Sequence, residues 1–366
     1  MLMRFTLLFV TLLFSGQITF AAPKVVASQP CSLLEDLFTN SRNREAIFYE
    51  RVTAPLENIL PILRSSKSAK EAAIALTSQD YRASIFKVEA LMRFYGEEKW
   101  AKNFTRYRPQ LKGFEDYLGW AKDAQELPVT VEKYKLKIPT ETVQYLKDDA
   151  VAKMNDFSKF LDEGHWIGEG NTMDRLLSDL KKVKVPSQTE TAAYVLDKLA
   201  EEAKAIRKKK LDMNTLEGSE GIHELRRRLR WILIEVNAHR GQIEIVQDAK
   251  IPKAIEPFTH VGEESKKYLE YPKTELKLKQ TVPFKESNYL ALTYFVERLG
   301  DIKDSGELHN KVLEALVKSK AYASEKAAND WLTPYLKSKI EWKDYATEAK
   351  KAYEDLIKSK LLESIP

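Results

Sequence analysis

Apolar residues recur at intervals of three and four along almost the whole chain, the spacing of amphipathic helices rather than strands. The pattern predicts helices over 46–63, 81–95, 142–161, 192–206, 222–245, 289–299 and 345–361. The first carries Pro55 and Pro61, and a proline inside a helix removes a donor and breaks or kinks it. Breakers fall between the other helices, at Ser65-Ser66, Leu127-Pro128, Gly168-Glu169-Gly170-Asn171, Val185-Pro186-Ser187, Gly218-Ser219-Glu220-Gly221 and Tyr271-Pro272. In the fifth of these, Gly218 is placed to end one helix and Ser219 to cap the next. Residues 129–138 and 276–282 alternate weakly, which allows one or two short strands or extended connections. No strand–helix–strand pattern is present, so the expected fold is all-α.

A repeat subdivides it. The segment Leu118-Gly119-Trp120-Ala121-Lys122-Asp123-Ala124-Gln125-Glu126-Leu127 returns as Leu299-Gly300-Asp301-Ile302-Lys303-Asp304-Ser305-Gly306-Glu307-Leu308. Both read Leu-Gly-x-x-Lys-Asp-x-x-Glu-Leu. A glycine there permits close packing or a bend near a helix end, and an aspartate can cap the next turn. The expectation is a duplicated helical unit. Its first half covers 32–180 and its second 187–363, the two bundles forming one domain.

The first residues read differently. Met1 to Arg4 give a short positive stretch, Phe5 to Phe14 an apolar run, and Thr19-Phe20-Ala21 small residues at the two positions a signal peptidase reads, Thr19 and Ala21. Residues 1–21 are therefore expected to be a cleaved secretory signal. No later apolar run is long enough to span a membrane. Cys31 is the only cysteine, so no intrachain disulfide can form, which suits a bacterial periplasm better than a small secreted scaffold. The remaining chain of about 345 residues could build two compact units. Charged residues make up 31% of the sequence and the formal net charge is only +5, so an anion site must come from local clustering.

That clustering is found in Glu220-Gly221-Ile222-His223-Glu224-Leu225-Arg226-Arg227-Arg228-Leu229-Arg230-Trp231. At ~100° per residue, His223, Arg226, Arg227 and Arg230 share an arc of roughly 100°. Ile222, Leu225, Leu229, Ile232, Leu233 and Val236 take the opposite side. One face can pack into a core while the other offers donors to a polyanion. Arg207, Lys208, Lys209, Lys210 and Arg240 could widen the positive surface, although basic residues at a helix C-terminus also serve the helix dipole. A solvated face paired with Glu220 and Glu224 is the plainer reading of the arginines.

The His-x-x-Arg-x-x-x-Arg helix, the two Leu-Gly-x-x-x-Asp segments and the helical halves together resemble the CHAD family, the conserved histidine α-helical domain. The resemblance runs from roughly Val52 to Leu361 and rests on few positions. It implies two repeated bundles facing a basic groove that binds inorganic polyphosphate, with His223, Arg226 and Arg230 on the family's histidine and arginine positions. Leu118-Gly119 with Asp123, and Leu299-Gly300 with Asp304, match the segments closing each half. The chain departs from the family in carrying Trp231 and Leu233 where further basic residues are usual. Its first-half candidate, Asp80 to Phe94, has no histidine. Setting Lys87 opposite Arg230 puts Asp80 in the histidine's place.

Arginine forks donate paired hydrogen bonds to phosphate oxygens, and each charge-assisted bond contributes roughly 1.5–3 kcal/mol. Four or five would support micromolar binding of a long chain. A histidine in the strip helps most when protonated, so binding should strengthen below about pH 6.5. Nucleic acid is not the expected partner, because it favours several aromatic platforms and only Trp231 flanks the strip. Enzyme chemistry, cofactors and metals are not expected either. His223-Glu224 lacks a second histidine four residues on, the other histidines show no ligand spacing, and Gly168 to Asn171 lacks the lysine of a phosphate loop. Pairs such as Asp148-Asp149 read as surface charges. The alternative function is a helical scaffold or interaction protein that keeps the fold without the ligand; no protein partner is specified.

Overall fold

The computed structural model describes residues 47, 49–183, 188–216, 220–260, 281–339 and 345–365. They are dominated by helix, as the periodicity predicts. A π-helical turn, Tyr49–Thr53, leads into α1 (Ala54–Glu57) and α2 (Leu60–Ser65). These replace the single helix expected over 46–63, because Pro55 and Pro61 each fall within the first two positions of a new helix, where no donor is needed. Then come α3 (Ala69–Thr77), α4 (Arg82–Tyr95), α5 (Lys102–Lys133), α6 (Thr140–Glu163), α7 (Thr172–Leu180) and α8 (Gln188–Lys208). The chain continues through α9 (Ile222–Ala238), strands β1 (Ile243–Val246) and β2 (Val282–Lys285), α10 (Glu286–Lys318), α11 (Glu325–Lys339), α12 (Tyr345–Ser359) and α13 (Leu361–Ser364).

Helices α5 and α10 are 32 and 33 residues long, and they correct two expectations. The Leu-Gly segments lie inside them rather than near helix ends. Leu127-Pro128 does not break α5, which contains both Pro109 and Pro128. Residues 129–138 accordingly begin as helix. The expected helix over 222–245 stops at Ala238, and the chain turns through Gly241, whose φ is 77°. Ile243 and Ile245, apolar at the two-residue spacing of a strand, pair in parallel with Val282 and Phe284. Residues 276–280 and Ser219 lie outside the described residues; the N-cap position of α9 is held by Gly221. Gly168 and Gly170 adopt left-handed φ values of 86° and 68°. Asn171 after them caps α7 through a reciprocal pair of bonds with Asp174.

Four helices form the centre. α4 packs on α5, α9 packs on α10, and α4 and α9 pack on each other. The main core draws on residues from Val52 to Ile365, so both halves of the chain contribute to one apolar interior. Ile85, Val88 and Met92 of α4 are fully buried, as are Leu229, Ile232 and Val236 of α9. Leu111, Phe114 and Leu118 of α5 are buried like Leu292, Phe295 and Leu299 of α10. A smaller cluster forms where Val131, Leu146, Val312, Leu316, Leu332 and Leu336 meet.

Candidate functional site

The basic strip of α9 divides in two. Glu224 is buried, and it accepts from Arg227 Nε at 2.8 Å and Arg228 Nε at 2.6 Å. Burial opposes its ionisation, but the bonds from Arg228 and Arg227 outweigh it and hold its pKa below the usual carboxylate range. Helical geometry explains the division: Glu224 precedes Arg227 and Arg228 by three and four residues, so one carboxylate reaches both. Arg227 is thereby drawn from the face shared by Arg226 and Arg230. With Arg228, Trp231 and Glu235 it lines a cleft of about 980 Å³ between α9, α4, α5 and α8. The pairing with Glu224 is the plainer reading of these two arginines.

Arg226 and Arg230 are half-buried on the other side of α9. Arg226 lies over Gly300 of α10, where an added Cβ would come within 3.0 Å of its Nε, and this Nε donates to the Val296 carbonyl at 3.3 Å. Arg230 stacks its guanidinium on Phe86 of α4, 4.5 Å from the ring centre. The same ring carries Arg82 at 5.5 Å. Among the described residues neither Arg226 nor Arg230 has a carboxylate partner. Burial, then Arg226, then Arg82 push the pKa of Arg230 down to about 10, against the distant pull of Glu115 and Asp80. Three guanidiniums thus share one neighbourhood, joined to α4 through Phe86.

Arg82 was not among the expected site residues, and its position repeats that of Arg226. It lies over Gly119 of α5, where a Cβ would meet the guanidinium at 2.8 Å. Both Leu-Gly segments therefore serve the same contact, an arginine from the neighbouring helix pressed onto a bare stretch of backbone. This changes the register between the two basic helices by one residue. With Arg82 in the place of Arg226, Gln79 rather than Asp80 holds the histidine's place, and Phe86 rather than Lys87 that of Arg230. The surroundings differ between the halves. Arg82 donates to the Glu115 carboxylate from Nε at 2.8 Å and from Nη2 at 2.6 Å, and Asp123 is 3.7 Å from its Nη1.

The remaining expected residues scatter. His223 is half-buried, with Nδ1 3.9 Å from Glu307. Glu307 also takes Lys303 at 2.7 Å, so Lys303 is a mid-helix partner. Arg240 does not join the cluster. It sits beyond the far end of α9, its carbonyl accepting from Arg51 and its own Nη2 donating to the Glu50 carbonyl at 3.3 Å. Arg207, Lys208 and Lys210 are exposed and Lys209 half-buried at the end of α8, and none of them lines the cleft.

The other buried titratable groups on α9 are structural in their contacts. His239 donates from Nδ1 to the Glu235 carbonyl at 2.7 Å, which leaves Nε2 to accept from the Tyr95 hydroxyl at 3.0 Å. Glu235 is 1% exposed, and its Oε1 is 3.7 Å from Arg93, which also pairs with Glu202 and stacks on Trp231. Among the described residues no group of three or more His, Cys, Asp or Glu side chains is placed to hold a metal ion, and no helix is long and apolar enough to cross a membrane. No protein-family model, curated protein or solved structure matches the chain, and the arginine cluster is therefore interpreted from its own geometry.

Proposed function

We propose that the chain is an exported, CHAD-like protein of two related helical halves that binds inorganic polyphosphate or a similar polyanion and catalyses no reaction. The observation that supports this reading is the pairing of Arg226 and Arg230, two half-buried guanidiniums without a carboxylate partner among the described residues. Burial first, and then repulsion from Arg226, weakens the charged form of Arg230, and an anion beside the pair relieves that repulsion. A phosphate chain brings closely spaced charges and acceptor oxygens, which suits two adjacent forks. His223, on the same side of α9, adds to the attraction when protonated. Arg227 contributes at most from the edge, because Glu224 holds it.

Two forks at roughly 1.5–3 kcal/mol per charge-assisted bond, less the cost of ordering, suit dissociation constants between about millimolar and micromolar. This is weaker than the full strip would give. The test is calorimetric titration with long-chain polyphosphate at several salt concentrations, alongside Arg226→Ala/Arg230→Ala. Saturable, salt-sensitive heat that the double variant loses is the expected result. No binding by the wild-type protein would reject the polyanion reading. It would favour the second reading, a helical scaffold whose basic groups are neutralised internally, which the pairing of Arg82 with Glu115 and of Arg227 with Glu224 supports.

A further inference from the structure

The two Arg-over-Gly contacts differ most one helical turn before each glycine. In α10 that position is Val296, which offers Arg226 a backbone carbonyl and no charge. In α5 it is Glu115, whose side chain is 3% exposed and grips Arg82 through two nitrogens. Lys112 donates to the other Glu115 oxygen at 3.0 Å, so both carboxylate oxygens are engaged. Arg82 itself is 30% exposed. It shares the Phe86 ring with Arg230, close enough to depress that group's pKa.

We infer that Glu115 is a built-in counter-ion for the arginine cluster, a specificity-determining residue that fills the place of one phosphate and restricts an incoming polyanion to Arg226 and Arg230. The inference rests on the polyanion reading of that cluster. A carboxylate fixed on Arg82 has two effects. It occupies the donor edge that a third phosphate would use, and its negative charge opposes an anion arriving beside Arg230. Both effects favour short or weakly charged anions over long chains. Removing the charge while keeping the shape leaves Arg82 pressed on Gly119 with a neutral amide oxygen in place of its counter-ion, so its positive charge becomes available to an incoming anion. Asp123, half-exposed, is then the remaining carboxylate near it.

The experiment titrates the full chain with tripolyphosphate and with long-chain polyphosphate, comparing wild type, Glu115→Gln and Arg82→Ala/Glu115→Gln. Folding is checked by circular dichroism. Glu115→Val is the substitute if glutamine fails to fold, since valine holds the corresponding place in α10. Glu115→Gln should bind long-chain polyphosphate at least tenfold tighter than wild type, with a steeper loss of affinity on adding salt. The double variant should return to wild-type affinity. A gain that persists without Arg82 overturns the inference, because simple loss of a negative charge would then account for it. Wild-type binding that Glu115→Gln does not improve overturns it too, while leaving the polyanion reading intact. If wild type does not bind and Glu115→Gln does, the counter-ion role stands and the polyanion reading of the native chain fails. Absence of binding by all three rejects both.

Discussion

Glu235 of α9 and His239, which follows the helix as its C-cap, lie one turn apart, and burial moves their ionisation in opposite senses. The Glu235 carboxyl is pushed up from 4.5 to about 8 by burial, against the pull of Arg93. Between those values the folded protein holds a proton that the unfolded chain releases, so stability falls as pH rises through the window. The His239 imidazole is pushed down from 6.5 to about 3 by burial and by Arg51. Here the unfolded chain holds the extra proton, and stability falls as pH drops through its window. From pH 4.5 to 6.5 the two effects cancel. From pH 6.5 to 8 Glu235 acts without opposition from His239, at about 1.4 kcal/mol per pH unit, a loss of about 2 kcal/mol. Glu235→Gln removes that loss and exposes His239 below it, so the variant should gain about 3 kcal/mol between pH 4.5 and 6.5. Glu89, also pushed up by burial, acts alike in both proteins and drops out of the difference. Urea denaturation at pH 4.5, 6.5 and 8 measures both profiles. Wild type minus variant should decline steadily with pH; two parallel profiles would refute the assignment of the proton to Glu235.

Gly300→Ala places a Cβ 3.0 Å from Arg226 Nε. Because a flexible side chain can move aside, polyphosphate binding should weaken several-fold while the melting temperature changes little. Glu224→Gln weakens both arginine pairs at a buried carboxylate, at a cost of about 1.5–3 kcal/mol by denaturant titration near neutral pH. Its folded-state pKa is depressed, so the difference from wild type should shrink as pH falls below the ordinary carboxylate range. Leu332→Ala opens a cavity at a fully buried site in the smaller cluster. It should cost about 2–5 kcal/mol in stability and leave the anion affinity of the folded protein unchanged.

How much of this was legible in the sequence depended on whether the deciding force was local. The apolar period located α4, α6, α8 and α12, and the start of α9, to within a few residues, because each buries a single stripe. It failed where two periods agree by chance: Ile243 continues the helical stripe of Val236 at a spacing of seven, whereas α9 has ended at Ala238 and the chain turns through Gly241. Glycine and proline misled in α5 and α10. They weaken an isolated helix, but here neighbours on α3, α6, α11 and α12 support the long helices, and tertiary packing outweighs propensity. Arg82 escaped notice because nothing around it is basic enough to form a run. Its signal was relational: Arg82 precedes Ile85 and Val88 as Arg226 precedes Leu229 and Ile232, with the same positions buried.

That relation also explains why the basic strip overstated the site. Charge counted along a helix treats every arginine as available, yet one buried carboxylate can hold two. Glu224 removes Arg227 and Arg228 from the strip, and Glu115 on another helix removes Arg82 from the cluster. Glu224 lies within the strip, where its pairing could be weighed, but Glu115 lies on α5, beyond any charge count along α9. The face presented to an anion is set by which carboxylates fail to reach the arginines, and at Arg226 the decisive residue is an uncharged one, Val296. Exchanging the two sites, with Glu115→Val and Val296→Glu in one chain, should move the open fork from α9 to α4. The exchanged protein should then depend on Arg82 for polyphosphate binding and no longer on Arg226, as alanine substitution at each would measure. Continued dependence on Arg226 alone would show that the position before each glycine does not control the site.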